Sequence, residues 1–141
     1  MTTWALTTSF SAMTVFISFV FTPAGLGDPT LAIAASRAGA VGVYNAELEA
    51  DSRQIVASLD RLALHAHGSF GVKLDAVDEA VAAKLRDLAS HRLGWVIVDI
   101  DLVLPQQALL EELRRFGVRV LAEVRTAEPL PASAAAQVDG V

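Results

Sequence analysis

"SRAGAVGVYN", Ser36 to Asn45, decides how this chain folds. A polar stretch ends in Gly39, and an apolar run follows at once. Glycine ends helices because it takes the left-handed conformation without a Cβ clash. An apolar run without alternation is the pattern of a strand buried on both faces, as in a parallel sheet. The same plan recurs in "AHGSFGVKLD" (66–75), "HRLGWVIVDI" (91–100) and "RRFGVRVLAEV" (114–124). Gly39, Gly68, Gly94 and Gly117 are 29, 26 and 23 residues apart, and Gly140 falls another 23 on. Arg37, His65, His67, His91, Arg92, Arg114 and Arg115 crowd the expected last helical turns, where positive charge meets the negative end of the helix dipole.

Outward from these units, the pattern predicts strands over 13–21, 40–45, 69–74, 95–100 and 118–124. It predicts helices over 29–38, 49–66, 77–92, 105–116 and 128–137, with a sixth strand beginning near Gly140. Asp28-Pro29 reads as an N-cap followed by Pro in the first turn. In "PQQALLEELRRF" (105–116), Leu109, Leu110, Leu113 and Phe116 fall on one stripe. Alternating β and α elements give an α/β fold with a parallel sheet. Two architectures fit. One is a partial (β/α)8 TIM barrel with about five βα units; the other is a five-stranded, flavodoxin-like doubly wound sheet. The end at "VDGV", where a sixth strand would start, favours the first part of a barrel over 13–141.

The chain has 141 residues, 53% of them hydrophobic, enough for one domain with a real core. Its net charge of -5 and its lack of a basic run argue against nucleic acid as a partner. With no cysteine, thiolate chemistry and disulfides are excluded, which fits a cytoplasmic protein. The first positive side chain is Arg37, so the start lacks the basic region of a signal peptide. "MTVFISFVF" (13–21) has about half the length of a membrane helix, so no membrane span is expected. Residues 1–12 have no clear period and read as an N-terminal extension or flexible arm, with Met13 as the natural start.

In both architectures ligands bind at the carboxyl ends of the strands. That face collects Thr22, Pro23, Ala24 and Gly25, then Asn45 and Glu47, Lys73 and Asp75, Asp99 and Asp101, and finally Glu123, Arg125 and Thr126. His65, His67 and His91 fall at the opposite end, where helix-end charge accounts for them. Lys73 stands in an otherwise apolar strand, where burying an amine is costly without a partner. It is either an anion or cofactor contact, or half of a salt bridge to Asp75, Asp99 or Glu123, or a side chain that snorkels to the rim. Asp99 and Asp101 would share one side if the strand ran through both, as acid–base or metal work requires; a rim or capping role is the alternative. There is no Walker loop, no GxGxxG fingerprint and no serine elbow.

Over "TPAGLGDPTLAIAASRAGAVGVYNAEL" (22–48) the chain resembles the nitronate monooxygenase (2-nitropropane dioxygenase-like) flavin barrels. There a Pro-containing loop after the first strand precedes a helix of the type xLAxAxSxAGGLG. Here Pro23 and Gly25 hold the loop, and Leu31, Ala32, Ala35, Ser36, Ala38, Gly39 and Gly42 hold the helix–strand pattern. "FGVKLD" (70–75) is similar to the family's third strand, with Lys73 where Asn is usual, and "AEVRTAEPLPASAAAQVDGV" (122–141) to its fifth unit. Barrel domains attached to bacterial polyketide and polyunsaturated fatty acid synthases look most alike. The resemblance covers roughly residues 14–141 and implies a TIM barrel that binds FMN. The activities it implies are nitronate oxidation or enoyl reduction on a small-molecule or acyl substrate. It implies that Thr22, Pro23, Ala24 and Gly25 lie against the flavin, mostly through backbone, and that Lys73 sits at a cofactor contact; Glu123, placed by its strand end, is either a further cofactor-binding group of the mouth or the partner of Lys73. The family's catalytic His and phosphate loops lie after strand six, so a remaining barrel half, or a second copy, is the expected partner, and this chain alone is expected to be inactive. The other readings are a non-catalytic scaffold or docking barrel of a megasynthase, and a complete flavodoxin-like module.

Overall fold

A computed structural model describes residues 16–141. The expected extension over 1–12 and the first residues of the strand expected over 13–21 lie outside the described residues. Five strands, β1 (Phe19–Phe21), β2 (Val41–Asn45), β3 (Phe70–Leu74), β4 (Leu93–Asp99) and β5 (Arg119–Glu123), form one sheet. Every pair is parallel and the order is β1-β2-β3-β4-β5. A flavodoxin-like sheet has the order 2-1-3-4-5; here each strand lies beside its successor. Gly140 bridges Leu121 in parallel, at the place expected for the start of a sixth strand.

Helices α1 (Thr30–Arg37), α2 (Ser52–His65), α3 (Glu79–Ala89), α4 (Ile100–Val103), α5 (Gln107–Arg115) and α6 (Ala132–Ala135) connect the strands. The long ones make one layer, α1 on α2, α2 on α3 and α3 on α5. Period two sends Tyr44, Phe70, Val72, Leu74, Val96, Val98, Val120 and Ala122 toward this layer, where they form the main core. The alternate residues Val43 and Ile97 face away from the helices, yet they are 0% and 7% exposed.

Curvature explains that burial. In a flat sheet β1 and β4 would stand about 14 Å apart, three strand spacings. Instead the Phe19 and Trp95 rings meet edge to face, with centroids 4.9 Å apart. Gly71 lies between them on β3, where a Cβ would come within 3.1 Å of both Trp95 Cβ and Val43 Cγ2. The sheet is therefore curled about its helix-free side, the geometry of a partial barrel with a filled interior.

The helix–strand junctions refine the reading of the glycines. Gly39, Gly68 and Gly117 take positive φ as expected of helix-ending residues. Gly94 does not. It lies inside β4, where a Cβ would sit 2.8 Å from Ser69 Cβ; it is there for close packing, and α3 ends earlier at Ala89. α1 starts one residue later than expected, at Thr30, and the Asp28 carboxylate still accepts from the Thr30 N–H (3.0 Å). The helix expected over 128–137 is confined to Ala132–Ala135, because Pro129 and Pro131 exclude helix before it. α4 has no counterpart among the expected elements. It forms because β4 stops at Asp99, whose side chain caps Asp101 N–H. In α5, Leu109, Leu110 and Leu113 are buried as expected, but Phe116 is past the helix end and 54% exposed.

Candidate functional site

Lys73 is the centre of the carboxyl-end mouth. It alternates with the core-facing Val72 and Leu74, so the pleat of β3 points it into the concave side. Its Nζ lies 3.0 Å from Glu47 Oε2 and 2.8 Å from Glu123 Oε2. Glu123 stands on β5, two strands away, and the curl of the sheet brings it within reach. Burial pulls the Lys73 pKa down, but the Glu123 and Glu47 carboxylates outweigh it and hold the amine above its ordinary value. At neutral pH it is an ammonium with three N–H donors, ion-paired by distance with two carboxylates.

The anticipated bridge to Glu123 is present; those to Asp75 and Asp99 are not. Asp75 accepts from Leu48 N–H (3.1 Å) instead. Asp99 pairs with Arg125 (3.2 Å), whose guanidinium also approaches Glu47 (3.7 Å). Arg125 is 67% exposed and lies across the mouth from the β5 side. Asp99 and Asp101 do not form a carboxylate pair on a strand, because Asp101 is already in α4. The cup thus holds Glu47, Asp99 and Glu123 against Lys73 and Arg125, three carboxylates to two cations. Sequence reasoning puts Glu47 and Arg125 on this face but does not pair them with Lys73. The available signal is that both follow strands near it in space.

The loop after β1 is shaped by its own hydrogen bonds. Thr22 is buried; its N–H donates to Val43 O (3.0 Å) and its hydroxyl accepts from Asn45 N–H (2.9 Å). Gly25 has φ +71 and donates its N–H to Glu47 O (2.9 Å). The backbone donors of Thr22 and Gly25 are therefore used internally, which leaves the Ala24 N–H and the loop carbonyls as the backbone groups a ligand could meet. What it presents outward is the exposed surface of Pro23 and Ala24. Further along, Gln54 Nε2 and Ser58 Oγ donate to Gly27 O (2.7 and 3.0 Å), and Arg61 pairs with Asp28 (3.0 Å). The Thr30 hydroxyl and N–H, with Arg61, hold the Asp28 carboxyl below its ordinary pKa. The loop is thereby fastened to α2.

The loop after β2 carries a feature that sequence reasoning misses. Leu48 has φ +66, in the left-handed region that a leucine adopts only at a cost. It is 78% exposed. Asn45 Oδ1 accepts from Glu47 N–H (3.1 Å), and Asp75 holds Leu48 N–H, so the turn is fixed on both sides. Nothing in residue type marks this position, since leucine is not a left-handed former.

His65, His67 and His91 sit at the opposite end of the strands, and His91 Nδ1 lies 3.0 Å from both Ser90 Oγ and Asp87 O. Among the described residues no cluster of metal-ligating side chains occurs, and no helix is long and apolar enough to cross a membrane. Neither protein-family models, curated proteins nor solved structures gave a match to this chain.

Proposed function

We propose that this chain is the N-terminal β/α portion of an FMN-dependent oxidoreductase barrel, nitronate monooxygenase-like or enoyl-reductase-like, associated with polyketide or fatty acid synthesis. One observation carries the reading. The ammonium of Lys73 stands on the concave side at the carboxyl end of a barrel strand, at the position where the resemblance implies a cofactor contact. The residues fit a flavin in part. Pro23 and Ala24 offer an exposed apolar surface for a flat ring, and Lys73 offers an N–H to a ring acceptor. Bound FMN supplies hydride or single-electron transfer. Lys73 donates and stays charged, because Glu47 and Glu123 stabilise its protonated form. Its charge stabilises electron density gathered on that acceptor edge, as on a reduced flavin ring. Thr22 and Asn45 brace β1 against β2 and so keep the loop in place. The acting protein works in the cytoplasm, and its substrate is a small molecule or an acyl group. The rest of the barrel, from a further segment or a second copy, completes the cup.

A second reading, a non-catalytic scaffold or docking barrel, draws support from the charge of the mouth. Three carboxylates surround two cations, and both cations are already paired. Titration of FMN into the protein expressed from its full reading frame separates the two. The enzyme reading expects retained flavin absorbance near ~450 nm and weaker binding in Lys73→Met. A folded protein that takes up no FMN leaves the scaffold reading standing.

A further inference from the structure

Leu48 combines three properties that packing alone does not reconcile. Its φ of +66 is unfavourable for leucine, its side chain is mostly in water, and its turn is held by hydrogen bonds to Asn45 and Asp75. A position that only had to turn would be served better by Gly or Asn. An exposed leucine in that conformation gains nothing from core burial. Strain maintained by surrounding structure is a mark of functional positions. Its place gives the strain a use. Leu48 adjoins Glu47, the partner of Lys73, and a Cβ at Gly25 would lie 3.7 Å from Leu48 Cβ. Gly25, lacking a side chain, adds no Cβ contact to Leu48 there.

We propose that Leu48 is a ligand-contacting and specificity-determining residue of the mouth. Its side chain packs on the apolar face of a flat, uncharged ligand whose carbonyl edge accepts from an N–H of Lys73. The cup sets the ligand class. The excess of carboxylates disfavours a full anion next to them, while the ammonium selects an acceptor. Leu48 supplies the apolar contact that the paired charges cannot. This rests on the reading of the mouth as a ligand site, but not on FMN as the ligand.

The test uses Nile red, a neutral, flat, carbonyl-bearing dye, and FMN in parallel, on the full-length protein. The variants are Leu48→Gly, Leu48→Asn and Leu48→Met. Gly and Asn relieve the backbone and remove the apolar side chain; Met keeps an apolar side chain there. The proposal expects Gly and Asn to leave the melting temperature unchanged or raised while weakening Nile red about tenfold, the effect of losing one apolar side-chain contact. Met should retain most of the binding. If Gly and Asn bind the dye as the parent does, or if the parent binds neither dye nor FMN, the proposal is overturned. If FMN fails to bind but the dye responds to Leu48 as stated, the FMN reading falls and this one stands.

Discussion

Lys73 is a charge held inside by two partners, and its removal has a signed consequence. Lys73→Met leaves Glu47 and Glu123 facing each other without their cation. Both carboxylates are partly solvated, so the loss is moderated to about 1–2 kcal/mol at neutral pH, measured by urea unfolding. Because the folded-state pKa of Lys73 is raised above 10.5, its contribution is fully present below 10.5 and is lost as pH climbs through the folded value. The gap between parent and Lys73→Met should therefore narrow only above about pH 10.5, with no change between about pH 6 and about pH 9. A gap that closes near neutrality would show that another group governs it. At this scale the sequence is informative about Lys73 and Glu123, since a lysine in an apolar strand demands a partner. Glu47 and Arg125 are not legible as its company, because their approach depends on how far the sheet curls. The left-handed Leu48 is hidden for the opposite reason, that its residue type argues against its conformation.

At the scale of elements, the join between α1 and β2 is the tightest described. A Cβ built at Gly42 would lie 1.9 Å from Ala32 O, a backbone atom that cannot step aside. Gly42→Ala should cost about 3 kcal/mol, the upper range for overpacking, read as a lowered urea midpoint. Ser36 stabilises the same join, donating to Ile33 O (2.7 Å) and accepting from His67 N–H (3.2 Å). These contacts are the physical content of the "ASRAGAVG" pattern (35–42): small residues where helix and strand touch, and a hydroxyl that ties the next turn. The β and α segments are readable from apolar runs and glycine stops. The short α4 and the shortened α6 are not, because local capping by Asp99 and the two prolines decide them. Gly94 departs from expectation because a glycine before an apolar run looks the same whether it ends a helix or lets a strand pack closely.

For the whole molecule, strand order cannot be read from the chain, since the same βα alternation serves a barrel and a doubly wound sheet. The hydrogen-bonding of the sheet does predict how it opens. β3 and β4 are paired on both sides, while β1 is three residues long and paired with β2 alone among the described strands. Amide hydrogen exchange should be slowest in Val72, Val96 and Val98 and fastest, among strand residues, in Phe19–Phe21. Equal protection across all five strands would contradict this ranking.

The meeting of Phe19 and Trp95 has a consequence for traffic. With Arg119 laid over the same indole at 5.0 Å, and Val43 and Ile97 filling the level above, the way to Lys73 from the amino end is stoppered. The carboxyl end is the more open side, where Leu48 is 78% and the Arg125 side chain 67% exposed.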